Sequence, residues 1–398
     1  MRVRQRGAVL ILALLIVALV ATLAVNYASQ MTLVQARAEN RLYGAQQEIY
    51  ADSMIDMAAR LLKEDADNSQ LDHLYEDWAF PGGASYPVEG GMVQASLTDA
   101  QAVFNINSLG TALQNNANPN DPSRFTEPQR RFIRFLQTFD GNQNGLGQKD
   151  ARAEAEDPDA PPPLVIDLNL AVMITEALVD WLDADDQPTG YGGAESLQYQ
   201  QTGATWVPPN GPMESVEELK LVQHITPEIF EAIRPHVTVL PQADAPLNIN
   251  TIQDLRIVQS LNGADQMTPL NAQDLSDFGD WRGDAGFSTV DDLINQADFQ
   301  ALVTGAAMET TGLSVSTEFF WLNIEVSLAE KVINRRMLLH RKGGDIKVLA
   351  RFASGQQTAI QVLGTQQDAD ARDDNERDQG RGRDGRRDDN SDNKRRNP

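Results

Sequence analysis

The strongest constraint on this chain is an uncharged apolar run at residues 8–25, AVLILALLIVALVATLAV. Wound into an α-helix, a run of that length extends about 27 Å, close to the ~30 Å hydrocarbon core of a bilayer. Arg2, Arg4 and Arg6 precede it, and no comparable basic cluster follows directly. The excess of positive charge predicts a short cytoplasmic N-terminus, one membrane span and a body on the opposite side. A cleaved secretory signal has a similar charge layout. Here, however, the helical pattern continues past the run. Tyr27, Met31, Val34, Ala38, Leu42, Ala45 and Ile49 recur at spacings of three and four, which marks one helix face. No proline occurs before Pro81, and Gly44 is the only glycine between Gly7 and Gly82. One continuous helix of roughly fifty residues is expected, longer than a cleavable segment needs.

Charge and composition narrow the function. The chain carries a formal net charge of −24, and its last segment, from residue 366, is nearly balanced with ten acidic and nine basic residues. The acidity therefore belongs to the body, which repels nucleic acid and favours cations or basic partners. The chain has no cysteine, which excludes disulfides, thiolate nucleophiles and Cys-ligated metals. His73, His224, His236 and His340 show no metal-ligand spacing, and no serine elbow, phosphate-cradling glycine loop or cofactor fingerprint is present. No enzyme is expected. A hydrolase using the aspartates at 183–186 as acid and base is the one catalytic alternative, and nothing in the sequence separates their environments.

Strand-like runs lie at two distant places. Residues 92–98 alternate as a strand does, after a turn-rich stretch at 81–87, and residues 320–328, 332–340 and 346–352 follow near the end. Short links predict an antiparallel meander. Some two hundred residues of mostly helical pattern separate the two groups, so the fold class expected is α+β with a large helical insertion. Within it, residues 215–237 read as helix–turn–helix with Ser215 and Glu218 spaced as a capping box, residues 247–251 open a helical stretch, and a second capped helix begins near residues 287–293. These passages resemble helix-hairpin-helix or SAM-like units. The first hairpin has no glycine and has acidic flanks, so packing rather than DNA binding is expected. The tail at 366–398 alternates Asp with Arg, lacks apolar side chains and is expected to be disordered.

Residues 179–199, VDWLDADDQPTGYGGAESLQY, hold the densest acidic group. Asp180, Asp183, Asp185 and Asp186 crowd together and Glu195 lies past the glycines. Carboxylates this close repel unless a cation neutralises them. Calcium accepts six to eight oxygens in flexible geometry, whereas magnesium demands a stricter octahedron and zinc prefers nitrogen or sulfur. A solvated acidic turn fits the same pattern. Residues 140–145, DGNQNG, open like an EF-hand loop, but its twelfth position is Ala151 rather than a bidentate glutamate, and a plain Asn/Gly loop is expected there.

A basic leader ending in Gly7, then directly an apolar helix that continues as an amphipathic one, resembles a type IV prepilin or pseudopilin. The resemblance implies cleavage by prepilin peptidase after Gly7 and methylation of the new terminus at Ala8. The family's usual fifth mature residue is glutamate, which pairs with a neighbouring subunit's amine. Leu12 stands there instead. The K-type minor pseudopilins of type II secretion share this omission, which suits a subunit at the filament tip. They also share the passage Asp180-Trp181-Leu182-Asp183, Asp185 and Gly193-Ala194-Glu195, in a region where the family binds structural Ca2+. The resemblance implies Asp183, Asp185 and Glu195 as ligands, Asp186 as a weaker choice and Asp180 as a structural residue. It implies a leader at 1–7, a span at 8–25 and an amphipathic continuation at 26–66. A pseudopilin α+β domain follows at 67–110 and 310–355, around an inserted helical domain at 111–309. The implied location is the bacterial inner membrane with a periplasmic body, and the implied partners are the I-type and J-type minor pseudopilins. A type IV minor pilin, which usually keeps the glutamate, and a membrane-anchored nucleic-acid-binding protein are the alternatives.

Overall fold

The computed structural model describes residues 6–114, 118–139 and 164–353. Helix α1 spans Arg6–Asn68, 63 residues, longer than the repeat predicts because no helix breaker interrupts it. At 1.5 Å per residue it is about 95 Å long. Among the described residues it is the one helix long and apolar enough to cross a membrane, and its apolar segment is uncovered by the rest of the chain. Gly7 and Ala8 lie in its first turns.

The lower part of α1 buries a face that the apolar stripe from Tyr27 to Ile49 does not mark. Gln47, Ala51, Ile55, Ala58 and Leu62 are buried, again at spacings of three and four. The marked stripe lies roughly on the opposite side at ~100° per residue. Tyr27, Met31, Val34, Leu42 and Ile49 are all exposed. The helix thus carries two apolar faces, of which the described residues cover one.

That face rests on a five-stranded antiparallel sheet of order β1-β2-β7-β8-β9. Its members are β1 (Ala84–Val88), β2 (Gly91–Asp99), β7 (Phe319–Leu328), β8 (Lys331–Lys342) and β9 (Asp345–Ala353), with four minor strands placed below. The meander of the last three is the one expected. Gly343 and Gly344 both have positive φ, as the tight turn between β8 and β9 requires. Alternation along β7 turns Phe320, Leu322, Ile324, Val326 and Leu328 inward, where they meet Val93, Leu97, Met337, Leu339 and the buried face of α1. Strand β1 escapes a reading by pattern because Pro81, Gly82, Gly83 and Pro87 look like turns. It is an edge strand, and an edge tolerates a proline.

Between β2 and β7 the chain builds a second, larger core of its own. Its elements are β3 (Phe104–Asn105), α2 (Glu127–Leu136), α3 (Leu168–Leu182), α4 (Ser196–Gln201), α5 (Pro227–Ile233), β4 (Val237–Thr238), β5 (Leu247–Asn248), α6 (Leu255–Gln259), α7 (Phe278–Arg282), α8 (Val290–Ile294), α9 (Ala297–Leu302) and β6 (Leu313–Ser314). Two expectations need correction. Residues after Ser215 form a 3-10 helix, Val216–Leu221, not the α-helix of a helix–turn–helix, although the capping box is present. Residues 247–251 begin with β5, which pairs in parallel with β6, because a two-residue ladder leaves no periodic signature. The capped helix near residue 290 is α8, closed by Thr289 and Asp292. The loop at 140–145 and the tail at 366–398 lie outside the described residues.

A buried polar seam joins the two cores. Asp99, at the end of β2, accepts hydrogen bonds from the backbone of Gln101 at 2.6 Å and from the hydroxyls of Thr251 and Thr317 at 2.6 and 2.7 Å. The Asn248 amide donates to it at 3.0 Å. Four donors compensate a carboxylate that is buried from solvent, so the seam fixes how the inserted region meets the sheet.

Candidate metal centre

Helix α3 is buried on nearly every side, as a helix apolar all round must be. Asp167 caps its start, accepting from the Leu170 N–H at 2.8 Å. Its C-terminal end carries the acidic cluster outward. Asp180 is fully buried and accepts the Thr189 N–H at 3.0 Å, which agrees with the structural role expected of it. Asp183 closes the helix and is half-buried, while Asp185 and Asp186 are exposed. The chain then turns back through Gly190, Gly192 and Gly193. A Cβ on Gly190 or Gly193 would collide with the carboxylate of Glu176 or of Asp180, so only glycine lets the loop lie this close to α3. The return places Glu195 at the start of α4, where Gln198 accepts its N–H at 3.1 Å. Tyr199 anchors α4 by an edge contact with Trp181, ring centres 6.0 Å apart.

One carboxylate oxygen from each of Asp183, Asp185 and Glu195 falls within 4.8 Å of the others. Asp186 is not in this group, and its side chain faces the Asn210 amide at 3.4 Å. Oδ1 of Asp183 and both carboxylate oxygens of Glu195 are buried without a hydrogen-bond partner. Burial, then the charges of Asp185 and Asp180, pushes Asp183 up to about 6. Burial, then the charges of Asp180, Asp183, Asp186 and Asp185, pushes Glu195 up to about 7. Buried carboxylate oxygens that find no donor and repel one another are the surroundings a hard cation satisfies, and an all-oxygen set suits calcium rather than zinc. The residues present fit such an ion.

Sequence reasoning missed three residues that shape the loop. Glu176, one helical turn before Asp180, accepts the N–H groups of Tyr191 at 3.1 Å and Gly192 at 2.7 Å. Arg124 pairs with Glu176 at 2.9 Å, both buried. The His224 ring donates through Nε2 to the Gly192 carbonyl at 2.9 Å. The four-residue interval from Glu176 to Asp180 was a usable signal, since it puts both carboxylates on one face of α3. Nothing local marked Arg124 or His224.

A second acidic group, Asp65, Asp72 and Glu76, also brings carboxylate oxygens within 4.8 Å of one another. It contains a cation of its own. Arg341 bonds Asp65 at 2.6 Å and pairs with Asp72.

Residues 102–242 match the family model described as type II secretion system (T2SS), protein K. Over longer spans the chain is similar to the type II secretion system protein K of three bacteria. It is 28% identical to that of Klebsiella pneumoniae over 351 residues, 87% of this chain and 96% of the relative. With that of Pectobacterium carotovorum subsp. carotovorum it shares 27% over 360 residues, 90% and 99% of the two chains. With that of Pseudomonas aeruginosa it shares 28% over 360 residues, 88% and 93%. Its fold is similar to a chain in the crystal structure of the GspK-GspI-GspJ complex from the enterotoxigenic Escherichia coli type 2 secretion system, with TM-score 0.58 and 21% identity, covering 80% of this chain and 100% of that one.

Proposed function

We propose that this chain, which belongs to the type II secretion system protein K family, is a minor pseudopilin that caps the tip of the secretion pseudopilus and acts structurally, without catalysis. The observation that carries this reading is the division of α1. Its apolar segment is free to sit in a bilayer, its lower face holds the sheet, and an exposed stripe on the other side is open to helices of other subunits. Leu12, where related pilins place glutamate, removes the charge that would pair with a subunit ahead, which suits the terminal position.

The same reading includes cleavage after Gly7 with methylation of Ala8, residence in the inner membrane with the body in the periplasm, and assembly with the I-type and J-type minor pseudopilins. The basic leader ending in Gly7 supports the first, the uncovered apolar segment of α1 supports the membrane location, and the similar GspK chain, solved together with GspI and GspJ, supports the third. Residues 67–110 with 310–355 would then be the pseudopilin domain, and 111–309 its inserted helical domain. Asp183, Asp185 and Glu195 would hold structural calcium, with Asp186 at the rim of the site, stiffening the loop between α3 and α4.

Purification tests the assembly. The full chain, extracted in detergent from cells that also make the I-type and J-type proteins, should elute with both as one complex. Elution as an isolated chain would overturn the reading.

A further inference from the structure

Asp185 accepts the Gln187 N–H at 2.7 Å, but the carboxylates of the cation site do not hold residues 189–193 in place. Residues 189–193 carry the chain from Asp186 back to Glu195; three of their N–H groups are taken by α3, and Gly193 donates to the Thr189 carbonyl at 2.9 Å. Thr189 donates to Asp180, and Tyr191 and Gly192 donate to one oxygen, Oε2, of Glu176. The other oxygen of Glu176 is occupied by Arg124, which reaches it from the start of the segment leading into α2. Arg124 also donates to the Pro119 carbonyl, so both ends of the pair are fixed.

We propose that Glu176, held and oriented by Arg124, is the positioning residue that seats the glycine loop and thereby delivers Glu195 to the cation. Three features carry this. Glu176 is buried and its two oxygens divide their duties, one to the guanidinium and one to the loop. A Cβ at Gly190 would strike its carboxylate, so the loop is shaped to this side chain. Glu195 follows the seated residues by three positions, with both oxygens left without donors. Groups that hold metal ligands in orientation without touching the metal typically change affinity ~10–100-fold when altered. The calcium part of this inference rests on the reading above; the seating of the loop does not.

The experiment uses the full chain in detergent micelles, titrated with calcium chloride by calorimetry, with peptide-level hydrogen exchange across residues 189–195 in EDTA. Glu176→Gln keeps the size of the side chain but presents an amide to the loop N–H groups. It should weaken calcium binding by about tenfold or more and speed exchange in that segment without metal. Gly190→Ala, on the loop and outside the buried pair, should do the same if Glu176→Gln fails to fold. Unchanged affinity together with unchanged exchange in either folded variant overturns the proposal. Absence of calcium binding in the wild-type chain overturns the metal reading instead, and the exchange result then decides the seating role by itself.

Discussion

Two acidic groups in this molecule share a geometry and differ in what neutralises them. Asp65, Asp72 and Glu76 converge where α1 ends, and Asp183, Asp185 and Glu195 converge where α3 ends, each set within 4.8 Å. In the first, β8 inserts Arg341, whose guanidinium bonds Asp65 and Asp72 and the Thr317 carbonyl at 3.0 Å, while Glu76 accepts from Trp78 at 2.7 Å. In the second, no arginine or lysine pairs with any of the three among the described residues, and three oxygens are buried without donors. The protein thus completes one cluster from its own side chains and leaves three oxygens of the other without a donor among the described residues. Proximity of carboxylates alone does not mark a candidate metal site; proximity with unmet oxygens does.

The largest effect should come from removing the internal cation. Arg341→Met leaves buried Asp72 facing half-buried Asp65, and breaking the buried Asp72–Arg341 pair costs ~3–5 kcal/mol. Urea unfolding of the full chain in detergent should show that loss, and a change below ~1 kcal/mol would mean the guanidinium is not what offsets this cluster. Next comes the external cation. Calcium at a hundred times its dissociation constant should stabilise the wild type by ~2.7 kcal/mol, and Asp183→Ala should abolish the increment. A melting temperature that ignores calcium and EDTA alike would remove the distinction between the clusters.

A smaller effect follows from pH. Burial pushes Asp65 up to about 6 despite Arg341, and pushes Asp99 in the adjoining seam up to about 6 against its four donors. A carboxyl whose folded value lies above its unfolded one favours the fold when protonated. That contribution is complete below the unfolded value of ~4 and is lost as pH rises through about 6. Each group should therefore add on the order of 1 kcal/mol as pH falls from ~7 to ~5. His73, whose value burial lowers, acts in the opposite sense and offsets part of it. With EDTA present, Asp99→Asn should flatten the gain, and an unaltered slope would show that the seam does not titrate there.

The smallest effect separates the clusters by sign. Asp183→Asn removes one like charge from an unneutralised group and should raise metal-free stability by a few tenths of a kcal/mol to ~1 kcal/mol. Asp72→Asn weakens a pair to Arg341 and should lower it. Equal signs in thermal melts with EDTA would erase the contrast.

The fold was legible where local pattern reflects burial. The apolar run, the alternation of residues 320–328 and the short links of the meander each predicted their element, because period and turn chemistry are written within a few residues. Reading failed where local cues pointed elsewhere. Pro87 disguised an edge strand, and the capping box at Ser215 opened a 3-10 turn rather than an α-helix. At the site, three of four nominated ligands converge because they flank one helix end and its returning loop, a short-range arrangement. Glu176 stood one turn upstream and went unnoticed, and its partner Arg124 is 52 residues away.

By itself the sequence determined that this chain carries, from about residue 8, a helix able to span a bilayer, continues it without a break, forms a meander at residues 319–353 and concentrates acid around residue 183. These follow from chain-local physics, which are side-chain periodicity, helix rise and the repulsion of neighbouring charges. Only the tertiary structure decided which side of α1 meets the sheet, which acidic cluster receives an arginine, and which carboxylate seats the glycine loop. Each of those choices is made by groups far apart in the chain, as Asp72 and Arg341 are, 269 residues apart, and no local pattern records a contact that exists only after both cores have closed.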